Sequence, residues 1–203
     1  DCAHRDQAFK ARPLRLDGKK FEQLHLTDGQ AAHAARDALK KIAAGRLVVS
    51  DIQSRERKRR PSPPFTTSTL QQEAARKLGF TTSRTMKVAQ QLYEGIALGE
   101  EGVVGLITYM RTDAVSLSAD AIVELREVIQ RDFGPRALPE QPNFYKNKSK
   151  NAQEAHEAIR PTTAQHRPKD IAKYLGDDHR RLYELIWKRA VASQMQFATL
   201  NTV

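Results

Sequence analysis

A chain of 203 residues, 39% hydrophobic and 29% charged, is long enough for one sizeable core or two modest domains. Its 34 lysines and arginines against 24 acids leave a net charge of +10, which favours polyanionic partners, nucleic acid foremost. No apolar run approaches membrane-spanning length, and the lone cysteine, Cys2, excludes an internal disulfide and a thiolate cluster for zinc. The start lacks a basic segment followed by an apolar one, so no secretory signal is read there, and a reducing, cytoplasmic compartment is expected. Because the first residue is Asp1 and not methionine, the sequence reads as a piece of a longer protein.

Residues 8–26 alternate loosely, and Asp17-Gly18 is a hairpin turn signal, which predicts two antiparallel strands. Thr27 or Asp28 then caps an alanine-rich helix running to about Ala44 and ended by Gly45. Residues 46–59 read as a strand that turns basic through Arg55, Arg57, Lys58 and Arg59. Pro61, Pro63 and Pro64 break regular structure and mark the best domain boundary. Beyond it the pattern is helical. Thr67 or Ser68 caps a helix over 69–78, and Ser83 starts a second with Met86, Ala89, Leu92 and Tyr93 at helical spacing. The pair suits a helix-turn-helix or winged-helix unit, although an ordinary αα-hairpin is the commoner object. Ser118 precedes a helix over 119–133, a looser basic stretch follows over 135–152, and helices are expected from about 168 and over 177–194. Residues 198–203 read as a strand that pairs back with the 1–60 unit. The fold class is therefore α+β, mainly helical. No internal repeat, glycine-rich phosphate loop or metal-ligand spacing is evident.

The chemically loaded stretch is Val103 to Asp113, an apolar run ending in Tyr109, Arg111 and Asp113. If Val104 to Arg111 is extended, Tyr109 and Arg111 share one side. A phenol beside a fixed guanidinium can attack a phosphodiester: arginine's planar donors hold the phosphate, and its charge favours the phenolate. The competing reading is a buried strand with Tyr109 in the core. A second charged stretch, Asn151 to Thr162, contains Glu154, His156, Glu157 and Arg160 with few residues that demand burial. Lys146, Lys148 and Lys150 precede it, interleaved with Phe144 and Tyr145.

Ile107 to Asp113 resembles the active-site segment of bacterial type IA DNA topoisomerases. Three other stretches agree in the same order: Pro64 to Gln72, Asn151 to Thr162, and Leu182 to Trp187. Together they cover roughly residues 64–195, and Met110 after the tyrosine is similar to the topoisomerase I branch. Ala114 departs from the pattern, standing where the family commonly has serine.

The resemblance implies a mechanism and a set of roles. Tyr109 attacks single-stranded DNA to form a 5′-phosphotyrosyl link, which conserves bond energy so that resealing needs no ATP. Arg111 contacts the phosphate, and His156 assists proton transfer or contacts DNA. Asp113, Glu154 and Glu157 support the site. Thr67, Ser68, Gln71, Lys148 and Arg160 join Arg111 as DNA-contacting candidates. Magnesium is expected to be bound by an acidic Toprim domain elsewhere in the polypeptide, with no metal ligand within this chain. The partners implied are single-stranded and negatively supercoiled DNA and the remaining domains of the same, monomeric polypeptide, with no membrane. Residues 1–62 and 189–203 would belong to a β-containing arch, with a winged-helix or CAP-like tyrosine domain over 63–188 inserted into it. The alternative is a winged-helix DNA-binding module without chemistry, in which Tyr109 is structural and Arg84 reads DNA; an acidic-protein scaffold ranks below both.

Overall fold

The computed structural model describes residues 2–202 apart from 5, 6, 11, 13, 17, 23–25 and 147–156. The chain forms two compact units, Asp1–Gln53 and Ser54–Val203.

The first unit carries two short hairpins and a helix. Strands β1 (Cys2–His4) and β2 (Gln7–Phe9) pair antiparallel, as do β3 (Arg15–Leu16) and β4 (Lys19–Lys20). Gly18 turns the second hairpin at φ 75°, a conformation glycine adopts without strain. Helix α1 (Gly29–Ala43) is capped by Asp28, whose carboxylate accepts the Ala31 amide at 2.7 Å. It ends with Ala44 itself in the left-handed region (φ 45°), one residue ahead of the expected glycine stop.

The second unit opens with β5, which spans only Arg55–Arg59, so the strand expected over 46–59 is confined to its basic end. Residues 46–54 form no regular element and are exposed. The partner of β5 is β8 (Ala198–Thr202), antiparallel with Arg57 opposite Leu200. The last strand therefore pairs with residues 55–59 inside the second unit, and the division between the units falls before β5 and not at Pro61–Pro64.

Between those strands lies the helical body: α2 (Thr67–Leu78), α3 (Thr82–Glu94), α4 (Ala119–Phe133), α5 (Pro168–Ile171) and α6 (Asp177–Ser193). A two-stranded hairpin, β6 (Ile96–Ala97) with β7 (Val103–Val104), follows α3 directly, giving the helix-turn-helix-wing order. Two caps differ from expectation. Thr66, not Thr67 or Ser68, caps α2: its hydroxyl accepts the Thr69 amide while the Thr69 hydroxyl accepts the Thr66 amide at 2.9 Å. Thr81, not Ser83, caps α3. Ser118 caps α4 as expected.

Apolar faces of the helices meet in one core. Leu70 and Ala74 of α2, Val88 and Leu92 of α3, Leu125 and Ile129 of α4, and Leu182 and Ile186 of α6 are all buried. Ile107 and Met110 enter the same core from the segment after β7. No helix among the described residues is long and apolar enough to cross a membrane.

Candidate active site

The segment after β7 does not run as the continuous strand expected to Arg111. Ladder pairing stops at Val104, and one isolated bridge follows it. Ile107 bridges Pro161; the Thr108 amide donates to the Arg160 carbonyl (2.9 Å), and the Thr162 amide donates to the Leu106 carbonyl (3.0 Å). The Thr108 hydroxyl donates to the Ala158 carbonyl at 2.7 Å and accepts the Arg160 amide at 3.0 Å. On the other flank, the Thr67 hydroxyl donates to the Met110 carbonyl (2.8 Å) and accepts the Thr112 amide (2.9 Å), while the Thr67 amide donates to the Thr112 carbonyl (2.9 Å). Isolated hydrogen bonds from both flanks take the place of a sheet.

That clamping preserves a period of two. Met110, Thr112 and Ala114 point inward, while Tyr109, Arg111 and Asp113 are exposed. Tyr109 is 44% exposed, so the reading that puts it in the core does not hold. Among the described residues its hydroxyl has no hydrogen-bond partner, and the Arg111 guanidinium faces no carboxylate partner. The tyrosine ring packs edge-on against Tyr93, with centroids 5.4 Å apart and planes at 67°. Tyr93, at helical spacing with Met86, Ala89 and Leu92, is itself 41% exposed. Gly105 permits the close approach of this segment to α3: a Cβ there would sit 2.7 Å from the Tyr93 carbonyl oxygen.

Glu157 and Arg160 form the second element of the site. The Arg160 Nε and Nη2 donate to the two Glu157 carboxylate oxygens at 3.1 and 2.8 Å, and its Nη1 donates to the Pro161 and Thr162 carbonyls at 2.8 and 3.2 Å. Glu157 also accepts the Ser118 amide at the start of α4. Burial alone would raise the Glu157 pKa, but the Arg160 and Ser118 hydrogen bonds outweigh it and hold the carboxyl below its ordinary range. Arg160 is therefore committed within the protein, and it ties the strip at 157–162 to α4. An acid three residues before an arginine was the local signal available for this pair.

Of the remaining candidates, Ser68 is exposed and Gln71 part-buried along α2. Ala114 is fully buried and its amide donates to the Thr112 hydroxyl at 3.1 Å, so a methyl group fits where the pattern has serine. Lys148, Glu154 and His156 lie outside the described residues. Among the described residues no three His, Cys, Asp or Glu side chains converge as a metal site. Sequence reasoning missed the buried Asn143, whose side-chain amide donates to the Ser193 and Met195 carbonyls at 3.1 and 2.9 Å. Its own carbonyl accepts from the Gln194 side chain at 2.9 Å.

The fold has a counterpart among known proteins. The chain belongs to the DNA topoisomerase family, whose model matches residues 3–203. It is 62% identical over 202 residues to DNA topoisomerase 1 of Xylella fastidiosa (strain 9a5c), covering 100% of this chain and 25% of that protein. DNA topoisomerase 1 of Rickettsia bellii (strain RML369-C) is 47% identical over 198 residues, 98% of this chain and 24% of its own length. The structure of full-length topoisomerase I from Thermotoga maritima superposes with a TM-score of 0.69 at 39% identity, covering 92% of this chain and 28% of that one. The chain thus spans about a quarter of the length of the curated relatives it matches.

Proposed function

We propose that the polypeptide containing this chain is a type IA topoisomerase that relaxes negatively supercoiled DNA by transient cleavage of one strand. Tyr109 is the nucleophile. Its phenolic oxygen bonds to phosphorus, the bond from phosphorus to the 3′ oxygen breaks, and a proton passes to that oxygen to leave a 3′-hydroxyl. The other strand passes through the gap, and attack by the 3′-hydroxyl on the phosphotyrosine reverses the step without ATP.

The observation that carries this reading is the exposure of Tyr109 and Arg111 on one face of a clamped segment, with Met110 and Thr112 buried between and after them. A phenol and an uncommitted guanidinium on one face can engage the same phosphate. Arg111 orients the phosphate and offsets developing charge, His156 helps move the proton, and Asp113, Glu154 and Glu157 support them. Ser68, Gln71 and Lys148 are proposed contacts to the single strand; Thr67 and Arg160 act by holding the loop backbone. Magnesium, with the carboxylates that hold it, is assigned to another part of the polypeptide, and no step here runs through it. The enzyme is proposed to act as a monomer on cytoplasmic, nucleoid DNA, with residues 1–62 and 189–203 belonging to an arch domain into which the 63–188 domain is inserted in sequence.

The winged-helix reading draws on the α2–α3–hairpin order. Against it, Arg84, the natural base-reading arginine of α3, is bound bidentately to Asp178 at 2.8 Å and lies over the Phe80 ring at 4.5 Å. The test is a denaturant-stopped reaction of the full-length protein with supercoiled plasmid and magnesium. Protein attached to a 5′ end, and absent in Tyr109→Phe while DNA binding persists, is the expected result. Cleavage retained by Tyr109→Phe would overturn the assignment.

A further inference from the structure

We propose that Tyr93 is a positioning residue for the Tyr109 nucleophile, fixing the rotamer of the phenol through an edge-to-face ring contact; this rests on the assignment of Tyr109 above. Tyr93 lies in the last turn of α3, before the Gly95 cap, with 41% of its surface exposed. A tyrosine so placed adds little to the core. Its ring instead meets that of Tyr109 at 5.4 Å and 67°, the geometry in which a positive ring edge addresses a negative π-face.

The contact is built into the backbone. The Leu106 amide donates to the Leu92 carbonyl at 2.7 Å, and Gly105 lets the strip run against the Tyr93 carbonyl where a Cβ would come within 2.7 Å. The loop and the end of α3 are therefore locked in register at the two tyrosines. No hydrogen bond holds the Tyr109 phenol among the described residues, and an exposed aromatic side chain otherwise samples several χ1 wells. Attack on phosphorus requires one of them, so a neighbour that selects the rotamer raises the reactive fraction without touching DNA.

The experiment uses the full-length protein with a 3′-labelled single-stranded oligonucleotide and magnesium, reading single-turnover adduct formation and DNA affinity separately. Tyr93→Ala is expected to slow adduct formation roughly five- to tenfold with affinity within about twofold of the parent, and Tyr93→Phe, which keeps the ring, to restore the rate. Should Tyr93→Ala not fold, Tyr93→Leu keeps bulk without a ring and carries the same expectation. A parental rate in the ring-less variant overturns the proposal. So does a loss of affinity equal to the loss of rate, which would make Tyr93 a DNA contact. Tyr109→Phe, run alongside, separates the two claims: an adduct in that variant breaks the nucleophile assignment, whereas its absence beside a normal Tyr93→Ala rate breaks only the role of Tyr93.

Discussion

The Thr67 hydroxyl, at the first residue of α2, grips the backbone of Thr112 and Met110 on either side of Arg111, accepting an amide at 2.9 Å and donating to a carbonyl at 2.8 Å. The helix that starts the domain thereby fixes the direction of the arginine and, two residues back, of Tyr109. Thr67→Val keeps the shape but leaves a part-buried amide and carbonyl without a partner, which costs about 1–3 kcal/mol. We expect a lowered thermal midpoint and cleavage reduced by about tenfold or more in the full-length protein, with Thr67→Ser close to the parent. Unfolding curves and adduct gels check both.

Gly105→Ala tests the approach of the loop to α3. The added methyl group meets the Tyr93 carbonyl oxygen at 2.7 Å, against backbone that cannot swing aside, so the strip must move away from the helix. A destabilisation of about 1–3 kcal/mol is expected, together with slower cleavage because Tyr109 moves with the strip. Denaturant titration gives the first quantity and single-turnover cleavage the second.

Glu157 gives a pH signature. Its carboxyl is held below the ordinary range in the folded state, so it binds a proton less readily folded than unfolded. The stability it contributes is present above the unfolded value of about 4.3 and is lost as pH falls through the lower folded value. Glu157→Gln should therefore be less stable than the parent at pH 6, by about 1–3 kcal/mol, and the gap should narrow as pH falls below about 4. Thermal scans of both proteins between those pH values would show it.

The isolated chain is expected to be inactive. The cleavage proposed above belongs to the full-length polypeptide, and the chain spans about a quarter of the relatives it matches. With magnesium and supercoiled plasmid it should neither relax nor nick DNA. Tyr109-dependent, magnesium-dependent nicking by the 203-residue chain would contradict this.

Features that depend on short-range chemistry are legible in the order of residues. Helix α4 and its Ser118 cap, the break around Pro61–Pro64 and the tyrosine-arginine pair are written in residues a few positions apart, where steric and hydrogen-bonding rules act directly. The family resemblance rested on the same local strings. What those strings face depends on contacts between distant segments. Period-two exposure survives at Tyr109 and Arg111 without a strand, because hydrogen bonds between this segment and Thr67, Ala158 and Arg160 hold it from both flanks. Tyr93 shares its helical spacing with Ala89 and Leu92, and only the close approach of the Gly105 strip brings its exposed ring against Tyr109. Asn143 and Gln194 pair 51 residues apart, and no local pattern encodes a partner that the fold alone brings within hydrogen-bond reach.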